Sequence, residues 1–515
     1  MDTLRALFLP CFLVSTASSQ ETIDTLFGAA AGDRFGAAVA IVGDVDSDGR
    51  ADFAAGAPGS DAAGTDAGRV TVYSGVDRKE LFSVDGPAPG SRFGESVDGV
   101  GDIDLDGVDD LIAGAPGASR ALVFSGVDGA ILYDLAPATG GLFGTSVAGV
   151  GHADTDAWPD FAVGATVGNG VWVFSGRTGG LHWNAPGTAR DLGGLGDVDQ
   201  DGFDDLIAGD YTFDAYGGRA VVYSGLTGSV IRAHYGDPGW QDHLGKGATG
   251  VGDVDGDGVG DYGYGVPCNC FASHYVEVIS GATGALIYWL SEYTIGWDVA
   301  GAGDLDLDGT PDILASVPGS VFAFSGADGS DLFAYGSAGM IDGGADVDGD
   351  GFPDILAGAE WDSTNGNAAG RVSLYTLGCP YPAPQNYCTA LANTTGLPAA
   401  MGWQNSTSIQ ANNFRLLATD CPPHQNGVFF YGLTPTQVPF GEGNLCITGT
   451  MQRLSVVNTG SAGVPSYSLD FTDPPASSGQ IHAGDTWYFS FWFRDPAGGP
   501  SGFNLADGLQ ASFCP

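Results

Sequence analysis

The sequence predicts an all-β chain: a seven-bladed β-propeller followed by a small disulfide-containing β-sandwich-like domain. Three observations carry this reading. The nine-residue run D-x-D-x-D-G-x-x-D occurs six times, starting at Asp44, Asp102, Asp197, Asp253, Asp304 and Asp346, and a degraded seventh starts at His152. The starts fall 58, 50, 45, 56, 51 and 42 residues apart, which is the period of a propeller blade and not of a helical solenoid. With 86 glycines among 515 residues, the chain needs many tight turns and has little room for long helices.

In chain order, residues 1–19 read as a secretory signal peptide, with Arg5, an apolar stretch over 6–14 and the small residues Ser15, Ala17 and Ser19. The stretch is too short to span a bilayer, and no later segment is apolar enough to do so. A secreted protein, extracellular or at the cell surface, is the expectation. The propeller is expected over 20–377, a Pro-rich linker over 378–384 and a β-rich module over 385–515.

Within the first unit, short apolar runs bounded by Gly and Asp place strand one at 37–42, an acidic hairpin at 44–52, strand two at 53–57, strand three at 69–73 and strand four at 81–84. Strands three and four are joined by a Ser-Gly turn that recurs at Ser74, Ser125, Ser175, Ser224, Ser280 and Ser325. Its glycine is expected to supply the positive φ of a tight hairpin. The seventh unit lacks this turn, because residues 372–377 run into Gly378, Cys379 and Pro380. Residues 21–27 are therefore expected to supply the missing fourth strand and close the ring, leaving no sheet edge open.

In each acidic run the carboxylates at positions 1, 3, 5 and 9 and the backbone carbonyl at position 7 can converge into an oxygen cage, which suits calcium. The expected ligand sets are Asp44, Asp46, Asp48, Arg50 and Asp52; Asp102, Asp104, Asp106, Val108 and Asp110; and Asp197, Asp199, Asp201, Phe203 and Asp205. Further along come Asp253, Asp255, Asp257, Val259 and Asp261; Asp304, Asp306, Asp308, Thr310 and Asp312; and Asp346, Asp348, Asp350, Phe352 and Asp354. An EF-hand would place a bidentate Glu at position 12, where Ala55, Ala113 and Ala208 stand instead. The third loop has His152 at position 1 and Ala157 at the turn glycine, so it is expected to be vacant, leaving about six calcium sites. These sites are expected to be structural staples.

The formal charge is −45, from 62 acidic and 17 basic residues, with 24 of the acids at the four carboxylate positions of the six intact loops. Such a balance excludes nucleic acid as a partner. Of the catalytic motifs sought, H-E-x-x-H, G-x-S-x-G and the P-loop are all absent. No catalytic residue is assigned, and an enzyme is not expected.

Phe35-Gly36 and Phe93-Gly94, the acidic loops, and Gly56-Ala57-Pro58 and Gly114-Ala115-Pro116 together resemble the FG-GAP repeats of integrin α-subunit propellers and their bacterial relatives. The resemblance spans about residues 21–377. It implies a seven-bladed propeller with calcium in the hairpins between strands one and two, and ligands on the opposite face. The Phe-Gly signature changes later in the chain, where Leu192-Gly193, Leu244-Gly245 and Trp297-Asp298 stand in its place.

Long or aromatic loops between strands two and three are the natural ligand-binding positions on that face. They carry Tyr211, Phe213, Tyr216, Phe271 and Trp361, and Trp240 joins them from an inter-blade loop. Such platforms suit sugar rings or a protein partner. The leading reading is an adhesion-like binder of an extracellular protein or polysaccharide. The alternatives are a polymer-degrading enzyme built on the propeller and an architectural envelope component.

After Leu377 the acidic loops stop and five cysteines follow. Period-two patterning places Trp487, Phe489, Phe491 and Phe493 on one face of a strand. Export makes disulfides the expectation, with Cys379–Cys514 and Cys421–Cys446 as plausible pairs and one cysteine of the exported chain left over.

Overall fold

The computed structural model describes residues 21–137, 141–267, 274–291, 295–336, 339–376, 384–409, 412–472, 474–482 and 484–514. The chain divides into two compact units, Glu21–Thr376 and Leu377–Pro515.

The first unit is a seven-bladed propeller: seven four-stranded antiparallel sheets, six of them formed from consecutive strands. In the first blade the strands are Ala38–Gly43, Asp52–Ala57, Arg69–Tyr73 and Glu80–Asp85, within one residue of the sequence reading at each end. Strand one of every blade is innermost, and the seven of them line a central channel of about 180 Å³. Because the strands alternate in direction, the acidic hairpins and the Ser-Gly turns share one face. The connections between strands two and three and those between blades share the other.

The seventh blade takes its outer strand from the start of the propeller, as expected. Glu21–Phe27 pairs antiparallel with Arg371–Thr376, Leu26 facing Val372 and Phe27 facing Arg371. The ring therefore closes by hydrogen bonding between segments roughly 350 residues apart, and Arg371–Thr376 is not left as an exposed outer edge of blade seven.

Blades are glued to their neighbours by apolar side chains from both. One cluster joins Val70 and Val72 of blade one to Phe93, Val97 and Leu111 of blade two. Phe35, Phe93 and Phe143 are buried at these seams, and Phe93 N–H donates to the Ala67 carbonyl of the preceding blade at 3.1 Å. The same bond identifies the equivalent residues in the later blades and corrects two of the sequence assignments. In blade four the pair is Ala189-Arg190, with Ala189 N–H on Ala165 O and Arg190 N–H on Gly209 O, and not Leu192-Gly193. In blade six it is Ile295-Gly296, with Ile295 fully buried and Gly296 N–H on Ser316 O, and not Trp297-Asp298. Leu244-Gly245 holds the expected place.

The Ser-Gly turn is also built differently from the expectation. None of Gly75, Gly126, Gly176, Gly225, Gly281 and Gly326 has a positive φ; the left-handed residues are Arg78, Gly129, Gly179, Gly228, Gly284 and Gly329, three positions later. Glycine is required for a steric reason. A Cβ on Gly126 would overlap the Asp109 carbonyl oxygen of the acidic hairpin, and the other five turns repeat this overlap with Ala51, Pro159, Asp204, Gly260 and Pro311.

The second unit is a β-sandwich of a six-stranded and a three-stranded sheet. Trp487, Phe489, Phe491 and Phe493 of strand Thr486–Arg494 all point into its core, where Phe414, Tyr431 and Phe513 meet them. The disulfide pairing differs from the expectation: Cys446 is bonded to Cys388, and Cys421 is a buried free thiol. The reason is local placement, since Cys388 and Cys446 have Cα atoms 5.8 Å apart, whereas Cys421 is enclosed in the core cluster with Met401 and Phe414. Burial, and then the Asp420 charge, push the Cys421 thiol up to about 12, so it is an inert thiol. Cys514 is disulfide-bonded, while its expected partner Cys379 lies outside the described residues, as does the signal-peptide segment. Among the described residues no helix is long and apolar enough to cross a membrane.

Removing Glu21–Phe27 should expose the Arg371–Thr376 edge and the apolar surface under Ile23 and Leu26. Burial of two such side chains contributes about 3–6 kcal/mol, roughly 4–8 °C in a unit of this size. A thermal melt of the truncated protein, with light scattering, measures it; an unchanged melt would contradict ring closure.

Candidate metal hairpins and ligand face

Each acidic hairpin is a coil held by its own carboxylates. In the first, Asp44 Oδ1 accepts the N–H of Asp48 at 3.0 Å and Oδ2 that of Gly49 at 2.9 Å, while Asp46 and Asp48 cap the N–H groups two residues on. Positions 4 and 6 are left-handed, as Ser47 at φ 61° and Gly49 at φ 93° illustrate. The carboxylates consequently face one centre. Asp44, Asp46 and Asp48 offer oxygens within 4.8 Å of one another, as do Asp102, Asp104 and Asp110; Asp197, Asp199 and Asp205; and Asp253, Asp255 and Asp257.

The position-nine carboxylate has a second task. Asp110 Oδ2 accepts Ile103 N–H at 2.9 Å, and Oδ1 accepts Gly126 N–H of the Ser-Gly turn at 3.1 Å. Asp52, Asp160, Asp205, Asp261 and Asp312 make the same pair of bonds to Gly75, Gly176, Gly225, Gly281 and Gly326 and to their own hairpins. In blade seven the turn is missing, and Asp354 Oδ1 is left buried without a partner among the described residues. Burial pushes these acids up, Asp52 and Asp110 to about 6 and Asp205 and Asp312 to about 7. Crowded carboxylates that resist ionisation gain from a divalent cation, so the donor set fits one.

The third hairpin departs from this geometry. Neither Thr155 nor Ala157 is left-handed, and the His152 Nδ1 lies 3.2 Å from the Trp158 carbonyl at position seven. Asp154, Asp156 and Asp160 nevertheless converge within 4.8 Å.

The opposite face carries aromatic rings and cations around the channel mouth. Tyr211 and Tyr216 both stack on His243, with centroids 6.0 and 5.3 Å away, and the Arg219 guanidinium lies 4.4 Å over Phe213. Lys246 Nζ is 4.5 Å from the Tyr211 ring and 4.2 Å from the Trp297 ring, so it links blades four and six. Trp361 lies under Arg34, with 5.0 Å between guanidinium and ring, and Arg34 is ion-paired to Glu360. Of the expected residues, Tyr211 and Tyr216 meet on His243, Phe213 packs against Tyr235 and Arg219, and Trp361 belongs to a groove with Trp297. Trp240 is exposed, and Phe271 lies outside the described residues.

Sequence reasoning missed two sets of residues. Trp297 and Lys246 were hidden because Trp297 was assigned to the Phe-Gly position at a blade seam. Four channel carboxylates also went unnoticed, and each caps an N–H on the innermost strand of the next blade. Asp98 accepts Gly149 N–H at 3.0 Å, Asp191 accepts Ala248 at 2.6 Å, Asp298 accepts Ile341 at 2.9 Å and Asp342 accepts Ile41 at 2.7 Å. Water reaches them through the channel, but protein surrounds them on every other side. Burial, with the charge of Asp342 second, pushes Asp98 up to about 7, and burial pushes Asp342 up to about 6. Asp191 and Asp298, facing one another, are raised for the same reason.

With this geometry in hand, the comparisons with known proteins are specific. The FG-GAP repeat family matches residues 35–73 and 338–375, the hairpin-bearing parts of blades one and seven, which adjoin at the ring closure. The chain carries FG-GAP repeats of the integrin-α type. Human integrin alpha-IIb is 42% identical over 96 residues, mouse integrin alpha-X 35% over 96 and Xenopus laevis integrin alpha-5 39% over 102. These stretches cover 16–18% of this FG-GAP chain and only 8–9% of the length of each relative.

The channel acids set a pH dependence. A carboxyl raised in the folded state binds its proton more tightly there than in the unfolded chain, so folding stability falls as pH rises from about 4 towards the folded value near 7. In excess EDTA, which holds the hairpins metal-free in both proteins, Asp98→Asn should flatten the decline of Tm between pH 5 and 8. An unchanged slope would show that Asp98 titrates normally.

Proposed function

We propose that this protein is a secreted, calcium-stabilised propeller that binds an extracellular protein or polysaccharide in an adhesion-like role, and that it performs no catalysis. The observation that supports this reading is the separation of the two faces. One carries the convergent carboxylates of the hairpins, and the other carries exposed aromatic rings and half-buried cations around the channel mouth. The resemblance to integrin α propellers implies the same division, with ligands on the face away from the hairpins. The convergence of carboxylates supports calcium at six hairpins, with each expected ligand set supplying positions 1, 3, 5, 7 and 9. His152 occupies the carbonyl that a seventh ion would use.

Calcium here neutralises carboxylates that hold one blade's hairpin to its own turn, so its role is stability. Chelation should lower Tm by roughly 10 °C or more, the expected size for removing several ions from one cooperative unit. Elemental analysis should find about six calcium ions per chain, and the double substitution His152→Asp, Ala157→Gly should raise this to seven. A melt indifferent to EDTA would overturn the calcium reading.

The binding reading is tested by retaining the mature protein, in calcium, on immobilised polysaccharides and extracellular-matrix proteins. Retention with the ligand intact is expected, whereas released soluble fragments would show an enzyme.

A further inference from the structure

The groove that contains Trp297 and Trp361 has a shape and a chemistry that narrow the ligand class. It is a depression of about 470 Å³ between blades six and seven, beside the channel mouth, floored by Met340 and Gly339 and rimmed by Glu360 and Asp362. That volume lies within the range of small-molecule sites.

We propose that this groove is a subsite for a neutral sugar unit of an extracellular glycan. The proposal rests on the reading of this face as the ligand face and names the ligand class for it. Trp297 and Trp361 are 44% and 66% exposed, yet each is fixed, because Lys246 lies 4.2 Å over one ring and Arg34 lies 5.0 Å over the other. Immobilised indoles lose little freedom on binding, and their flat apolar faces match the C–H face of a pyranose ring. Sugar hydroxyls then need acceptors at the rim. Arg34 engages Glu360 through Oε2, and among the described residues Glu360 Oε1 takes no other bond; Asp362 stands next to it.

Charge decides between neutral and acidic glycans. The two nearest cations are already committed: Arg34 to Glu360, and Lys246 to the Tyr211 and Trp297 rings. The rim carboxylates are themselves ion-paired, Glu360 with Arg34 and Asp362 with Arg371, and the chain charge of −45 repels a polyanion. A neutral sugar meets no such penalty.

Affinity electrophoresis of the full-length protein in calcium tests this, using gels that contain dissolved xylan, galactomannan or mixed-linkage β-glucan, with alginate as the acidic comparison. Retardation is expected in at least one neutral gel and not in alginate. Trp297→Ala and Trp361→Ala should each weaken it at least tenfold while leaving Tm unchanged. Trp289→Ala, on the outermost strand of blade five, should not alter it. Retardation that survives both groove substitutions, or that occurs only in alginate, overturns the proposal. No retardation in any gel, together with retention on matrix proteins, overturns it but leaves the reading of the face intact; loss of both overturns the two together.

Discussion

One buried carboxylate per blade holds the propeller's architecture in place. The position-nine aspartate is at most 1% exposed in all seven blades, and in six it reaches both the acidic hairpin and the Ser-Gly turn. A buried carboxylate is tolerated only when hydrogen bonds satisfy it, and here three backbone donors do so at Asp52. The bond brings the turn so close to the hairpin that only glycine fits at the contact. The sequence repeat D-x-D-x-D-G-x-x-D and the repeat Ser-Gly are thus two halves of one interaction.

The candidate metal cage and the fold share that residue without being the same thing. Blade three keeps Asp160 and both of its backbone bonds although its loop has lost the first aspartate and the turn glycine. Blade seven shows the converse. Its acidic loop is complete, but with no Ser-Gly turn to answer it, Asp354 keeps one oxygen buried and unpaired and its carboxyl is raised well above the usual range. Hairpin chemistry and blade closure can therefore change independently, so one propeller can vary its acidic loops while keeping its shape.

Between blades the joining forces are different. Apolar seams supply the bulk of the contact, and at four seams a channel aspartate reaches across to an N–H that the innermost strand would otherwise present unpaired. The last of these, Asp342 to Ile41, reinforces the same junction that the Glu21–Phe27 strand closes on its outer edge. On the face away from the hairpins the cations do a similar job for the rings, Lys246 lying over Trp297 and Arg34 over Trp361.

The sequence by itself determined the blade count, the strand order within a blade, the closing strand and the convergence of the acidic hairpins. The blade count, strand order and hairpins rest on local periodicity or on carboxylates within nine residues of one another, and the closing strand on the one unit that lacks a fourth strand of its own. It also placed Trp361 and Tyr211 on the correct face, because loop position follows from strand alternation. Trp297 was not legible, since only the hydrogen bond of Gly296 to Ser316 shows that Ile295 fills the seam and frees the tryptophan. The channel aspartates and the Cys388–Cys446 bond were equally hidden. Each depends on a partner tens of residues away in the chain, and only the tertiary structure sets which strand edge or which thiol lies within reach.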